Sequence, residues 1–314
     1  MLDFQRVVAQ TVLDVRRAFY QILLNIELVQ VREQSLKLLT QQLEDTQHRF
    51  DVGAVPQFNV LRAEVELANA KPPLIRARNN LRLSKESLAK LLAIDTLSQQ
   101  PLDYPAFVPE GKLEYQPSEW TLEQALRQAL AQRPEIVQAE NRVRLQQENV
   151  RVARAGYQPQ VSLFADYGIR NSTFSDSVDE SIHGWSVGAR AQWNLFDGLA
   201  THGRIQQARA QLTQAEIDAA DTRRGVELEV RQAYSDYIQS LELLEAQKKT
   251  VEQGGESLRL AEARFRAGSG TQLDVLSAQT ALTEARSNEA QALYDYNVAV
   301  ATLERMTGVS VKLK

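Results

Sequence analysis

Apolar residues recur every three or four positions from near the start of the chain. Val12, Val15, Phe19, Ile22, Ile26 and Val29 alternate spacings of three and four, and Leu36, Leu43 and Phe50 carry the stripe onward through polar interruptions. A 3.5-residue period held over this length predicts a long helix packed as in a coiled coil. The stripe stops at Asp51-Val52-Gly53-Ala54-Val55-Pro56. Glycine past a helix end with proline beyond it signals a turn into a second helix. That helix is predicted over about 57–92. A kink or break is expected at Pro72-Pro73, because an interior proline costs about 3 kcal/mol.

Later in the chain the period changes. Residues 134–155 are rich in Glu, Gln, Arg and Val and predict another helix. Next, Val161, Leu163, Ala165, Tyr167 and Ile169 alternate with Ser162, Phe164, Asp166, Gly168 and Arg170. Trp185, Val187, Ala189, Ala191, Trp193 and Leu195 alternate in the same way with Ser186, Gly188, Arg190, Gln192 and Asn194. Period two predicts two strands, 161–170 and 185–195, joined by the polar loop Asn171–His183. Their length and alternation fit strands tilted through a bilayer, with Tyr157, Trp185 and Trp193 near the ends as an interfacial girdle. The other reading is a soluble two-stranded hairpin with one face on a core, but such a hairpin is only marginally stable alone. No other segment reads as a strand, so partner strands must come from other subunits or from sequence outside this chain. That favours the barrel.

The chain also repeats itself. Arg49-Phe50-Asp51-Val52-Gly53 matches Arg264-Phe265-Arg266-Ala267-Gly268, an offset of 215 positions. Without a gap, that offset lays Asp14–Phe19 on Glu229–Tyr234, Phe58–Leu61 on Leu273–Leu276, Leu88 on Leu303 and Ile94 on Val309. The stripe returns as Val230, Tyr234, Tyr237, Leu241, Leu244, Val251, Leu258 and Phe265. Residues 14–94 and 229–309 are therefore two copies of one helical hairpin. The offset pairs Met1 with Glu216, yet the second copy's helix and strands begin near Pro134. Roughly 80 residues have no counterpart in the first copy, so the expectation is a truncated product, a mis-assigned start or a fragment.

Composition narrows the choices further. The chain has 314 residues, no cysteine, 43% apolar residues and a net charge of −4. That length allows two or three domains. The charge is too small, and of the wrong sign, for a nucleic-acid partner. Without cysteine there is no disulfide, thiolate metal site or thiol nucleophile. Mean hydropathy is −0.36, and no apolar run reaches the length of a spanning helix, which leaves a β-barrel open. No basic start precedes an apolar stretch, so no signal peptide is read. His48, His183 and His202 lie far apart and suggest no metal site, and no nucleophile-elbow motif surrounds any serine. Gly254-Gly255 falls mid-helix and is read as a flexible or bent point, not a phosphate cradle.

Several motifs resemble those of the TolC-like outer-membrane efflux proteins. Arg154–Leu163 looks like that family's helix-to-strand junction, and Trp193-Asn194-Leu195-Phe196-Asp197-Gly198-Leu199 like its strand-to-helix junction. The two Arg-Phe-x-x-Gly segments look like its helical tips. The resemblance covers essentially the whole chain. It implies a mainly α fold: duplicated antiparallel coiled-coil hairpins forming a periplasmic tunnel, with one transmembrane-type β-hairpin contributing to a trimeric barrel. The division is then a first hairpin over 1–94, an equatorial Pro-rich linker (Pro101, Pro105, Pro109, Pro117) and short helix with Trp120 over 95–132, a tunnel helix over 133–156, a membrane hairpin over 157–197 and a second hairpin over 198–314.

The resemblance implies a passive exit duct in the bacterial outer membrane, not an enzyme, with no cofactor or metal. Its partners would be two further copies of the chain, outer-membrane lipid, a periplasmic adaptor and an inner-membrane transporter that supplies energy. Drug efflux, metal efflux and protein secretion are not separable. Val52, Gly53, Ala54, Ala267, Gly268 and Ser269 would be adaptor-docking tips, although glycine there also serves the turn itself. Asp274 matches an acidic position ringing the family's entrance, where it would attract cations; the next such position is Ser277. A local reading also exists, since an acid in a first helical turn is favoured by the helix dipole. Four strands per subunit are implied, so three copies of two strands would not close a normal pore. A soluble coiled-coil scaffold, or a fragment without transport activity, is the alternative.

Overall fold

The computed structural model describes residues 2–94, 109–171 and 181–308. In chain order it has α1 (Leu2–Asp51), α2 (Gln57–Leu91), α3 (Leu122–Gln132), α4 (Pro134–Arg154), a 3-10 turn (Ala155–Tyr157), β1 (Gln160–Asn171), β2 (Ser181–Gln192), α5 (Ala200–Arg266) and α6 (Gln272–Met306). Pro101, Pro105 and the centre of the loop between the strands lie outside the described residues. The fold is mainly helical with one β-hairpin, as the sequence predicts. The chain divides into two compact units. One takes in residues up to Pro134 and again from Gly225, and the other is Glu135–Arg224.

In the first unit the 215-residue offset holds to the residue. α1 ends at Asp51 and α5 at Arg266, while α2 and α6 share both boundaries one repeat apart. The caps repeat too. Positive φ occurs at Gly53 (74°) and Gly268 (75°), and again at Ala93 (53°) and Gly308 (75°). After α1 the Gly53 N–H donates to Phe50 O at 2.8 Å and the Ala54 N–H to Arg49 O at 2.8 Å. After α5, Gly268 and Ser269 bond Phe265 O and Arg264 O at 3.1 and 3.0 Å. These are the paired bonds of a Schellman cap, in which a left-handed residue reverses the chain.

Burial shows how the helices pack. α1 packs along both α2 and α6, and its most buried apolar residues are Leu13, Ile22, Leu23, Leu24 and Val31. Only Ile22 belongs to the heptad stripe read from the sequence. A helix covered on two sides buries a broader arc than a single seam. In the second copy the stripe itself is buried at Val230, Tyr237, Leu244 and Leu258. Leu258 packs with Val275 and Leu282 of α6.

Two expectations need correction. α2 runs unbroken through Pro72 and Pro73; Ala63 and Leu74, on either side, are 1% and 6% exposed, so packing outweighs the two lost backbone bonds. Trp120 precedes α3, because Thr121 is the N-cap and accepts from the Gln124 N–H.

An extended strap over 109–120 crosses the first unit. Gly111 lies against Phe19 and Leu23. Asn297 Nδ2 donates to Glu114 O at 3.3 Å, the Tyr296 hydroxyl donates to Gln116 O at 2.8 Å, and the Tyr237 hydroxyl donates to Ser118 O. Burial raises the Tyr237 hydroxyl pKa and pushes that of Tyr296 up to about 12, so both remain donors at neutral pH.

Candidate functional site

The first candidate site is the β-hairpin of the second unit. β1 and β2 pair antiparallel, with Val161 opposite Ala191, Leu163 opposite Ala189, Ala165 opposite Val187 and Tyr167 opposite Trp185. The register therefore puts the two apolar sets on one face. No described residue covers that face: Leu163 is 84% exposed, Trp185 76% and Val187 77%. On the other face the Phe164 ring lies over Gly188, where a Cβ would come within 2.6 Å of it.

β2 lies further toward its N-terminus than predicted. It begins at Ser181, and Trp193, Asn194 and Leu195 fall beyond its end. The alternation continues past Gln192, but the backbone turns. Gly198 and Leu199 both have positive φ, 66° and 69°, and Asp197 Oδ2 accepts from the Thr201 N–H at 2.7 Å. The Thr201 side chain first, its backbone N–H next and then the Arg204 charge hold the Asp197 carboxyl below its usual pKa. Trp193 Nε1–H donates to Tyr157 O at 3.1 Å and so ties the two sides of the hairpin base. Trp185 packs against Tyr167 in a tilted pair, with ring centroids 5.0 Å apart. Two aromatic pairs thus bracket the apolar face. From Trp185 to the end of β2 at Gln192 the strand takes seven steps, about 23 Å. Tyr167 was not singled out from the sequence; only the register reveals it as the partner of Trp185.

The second candidate site is the pair of helical tips in the first unit. Val52 is 78% exposed, and Gly53, Ala54, Gly268 and Ser269 form the two caps described above. The Arg49 guanidinium sits 4.7 Å from the centre of the Phe265 ring, linking the copies. Gln272, 5% exposed, donates through Nε2 to Thr46 Oγ1 at 3.2 Å and to Asn59 O at 3.4 Å. This buried link was invisible in the sequence, because its partners lie more than 200 residues away. Asp274 is exposed on the first turn of α6. Its Oδ2 accepts from the Thr271 N–H and from Thr271 Oγ1, each at 2.8 Å. The Thr271 side chain accepts in turn from the Asp274 N–H, completing a capping box. Those bonds, with a smaller pull from Arg264, hold the Asp274 carboxyl below its usual value. Ser277 is also exposed, one turn further on.

No described helix is long and apolar enough to cross a membrane. Any crossing by the described residues would fall to the hairpin. A profile of the outer membrane efflux protein family matches residues 2–93 and 125–309. The chain belongs to this family.

Relatives include outer membrane protein TolC of Escherichia coli, 25% identical over 307 residues, and TolC of Vibrio cholerae, 27% identical over 304. Each alignment covers 95% of this chain, but only 61% and 67% of those proteins. Alkaline protease secretion protein AprF of Pseudomonas aeruginosa is 25% identical, covering 90% of this chain and 58% of that one. The chain thus spans about six tenths of the length of such relatives. Among solved structures, the outer membrane protein VceC of Vibrio cholerae matches 98% of this chain and 72% of its own, with TM-score 0.75 and 19% identity. The outer-membrane channel OprN matches 98% and 68%, with TM-score 0.74 and 23% identity. These likenesses establish the fold.

Proposed function

We propose that the chain forms part of a trimeric outer-membrane exit duct that passively conducts substrates delivered by a periplasmic adaptor and an inner-membrane transporter. One observation carries this reading: a two-stranded hairpin with an uncovered apolar face between two aromatic pairs. Two strands alone cannot satisfy their outer edges in lipid, so strands from other copies or other segments must complete the barrel. The tips at Val52-Gly53-Ala54 and Ala267-Gly268-Ser269 would dock the adaptor, because left-handed glycines let a partner backbone approach closely. Asp274, charged at neutral pH and fixed by its capping box, would contribute a ring of three carboxylates at the entrance and favour cations. No catalytic step is involved, and the transporter partner sets the cargo.

Membrane fractionation, followed by mass determination in detergent, tests the reading. A detergent-requiring trimer in the outer membrane supports it. A soluble monomer or dimer would show a coiled-coil scaffold without a transport role.

A further inference from the structure

Charge and apolar surface are unevenly placed at the base of the hairpin, where the chain passes between helix and strand. Residues 149–160 and 198–215 carry Arg151, Arg154, Arg204 and Arg209 and no Asp or Glu. Arg151 pairs with Glu148, and Arg204 with Asp197, at the edges of this zone. Arg154 and Arg209 are exposed, and neither side chain has an ion-pair or hydrogen-bond partner among the described residues.

Three large apolar side chains stand in the same junction. Leu195, Phe196 and Leu199 are 81%, 83% and 69% exposed. Leu199 has a φ of 69°, a backbone that suits glycine, and so exposed a side chain gains little packing in return. Strain of this kind persists where the residue serves something other than the fold around it. The junction itself is firmly held. Gly156 lies against Thr201, Arg204 Nη2–H donates to Thr201 Oγ1 at 2.8 Å, and Trp193 is tied to Tyr157 O. The apolar and basic groups therefore share one end of the unit, beside the aromatic pair at the hairpin base.

We propose that this junction is an interfacial anchor: Leu195, Phe196 and Leu199 enter lipid at the headgroup boundary, and Arg154 and Arg209 bind phosphates of anionic phospholipid in the periplasm-facing leaflet. The proposal rests on the membrane reading of the hairpin above and adds a lipid class to it. Exposed apolar residues backed by arginines are the pattern of segments that lie in a membrane surface. Arg154 is three residues from Tyr157, and Arg209 lies about 14 Å along α5 from its first residue. An arginine stem lets the guanidinium reach back to the phosphate level. Each cation near an anionic surface strengthens attachment about fivefold. Acids return at Glu216, about 24 Å down α5, where ordinary salt has screened the surface.

The chain has no cysteine, so Phe196→Cys supplies a single thiol for an environment-sensitive dye. The full 314-residue chain is reconstituted into vesicles of phosphatidylcholine and phosphatidylglycerol, with one lipid or the other brominated. Both lipids should quench the dye, and phosphatidylglycerol should behave as bound about fivefold or more tightly. Adding Arg154→Gln/Arg209→Gln should bring the two lipids level, as should high salt. Equal quenching without those two changes overturns the phosphate contacts. Leu199→Gly in the same background should hold or raise the thermal midpoint in detergent yet weaken the quenching. A lowered midpoint would show that the leucine serves the fold, and overturns its anchoring role. A dye at Val187→Cys, on the apolar face of the hairpin, separates this proposal from the duct. If that dye is quenched and the one at position 196 is not, the anchor falls and the duct reading stands. If neither is quenched, both fall.

Discussion

Ala93 and Gly308 occupy the same place in the two copies, one repeat apart, and both are left-handed, with φ of 53° and 75°. At Ala93 the cap is complete: its N–H bonds Lys90 O at 3.2 Å, and the Ile94 N–H bonds Ala89 O at 3.0 Å. An L side chain in this conformation costs about 1–2 kcal/mol. Ala93→Gly removes that cost but adds about 0.5–1 kcal/mol of unfolded-state entropy. The net gain expected is about 0.5–1 kcal/mol.

The reverse change at the sister site should cost more than this gain. Gly308→Ala imposes the same backbone strain and also places a methyl 3.2 Å from Arg133 N and Gln132 C. Those neighbours are backbone atoms and cannot swing aside, so a loss of about 2 kcal/mol is expected. Urea unfolding followed by far-ultraviolet circular dichroism reads both variants, since the chain is largely helical. The midpoint should rise slightly for Ala93→Gly and fall clearly for Gly308→Ala. A lowered midpoint for Ala93→Gly, or an unchanged one for Gly308→Ala, would refute the reasoning from left-handed caps.

Other outcomes follow from single contacts. Tyr296→Phe removes the hydroxyl that holds Gln116 O, costing about 1 kcal/mol, and trypsin cleavage at Lys112 in the strap should speed up; unchanged cleavage would show the strap is held elsewhere. Asp274 has a depressed folded pKa, so its contribution is present above the ordinary value of 3.8 and is lost as pH falls through the folded value. The Tm gap between wild type and Asp274→Asn should therefore be open at neutral pH and close in acid; a gap independent of pH counts against the capping box. Gly156→Ala would set a methyl 2.8 Å from Thr201 Oγ1, and Thr201 is 1% exposed; a loss of about 1–3 kcal/mol is expected, eased by adding Thr201→Ala. A Gly156→Ala protein as stable as wild type would mean the junction is looser than its geometry.

The helical part was legible in detail because duplication supplies its own alignment: the offset found at Arg49 and Arg264 predicts where α2 and α6 start and stop. The strands were legible through period two, since pleating alone sets which residues share a face. Their ends were not. Trp193 and Leu195 keep the alternation, yet the chain leaves the strand because Asp197 caps α5 and Gly198-Leu199 turn left-handed. Pro72-Pro73 misled for a related reason, as local propensity yields where α1 covers the same helix. At Asp274 the first-turn position was legible, but the partnership with Thr271 three residues earlier was overlooked. The Gln272–Thr46 and Arg49–Phe265 contacts had no local signal, because each joins residues from different copies.

The matched lengths of the two hairpins restrict how the chain can change in size. From left-handed tip residue to left-handed cap, both copies contain the same number of residues. One residue inserted in α2 alone would raise or lower its tip by about 1.5 Å and rotate every later side chain by about 100°. The Arg49–Phe265 and Gln272–Thr46 contacts would then miss each other. Lengthening is tolerable only in whole heptads added to both limbs of both hairpins together. Natural length variants of this chain should therefore differ by such matched sets, and isolated insertions should collect at the tips and in the strap.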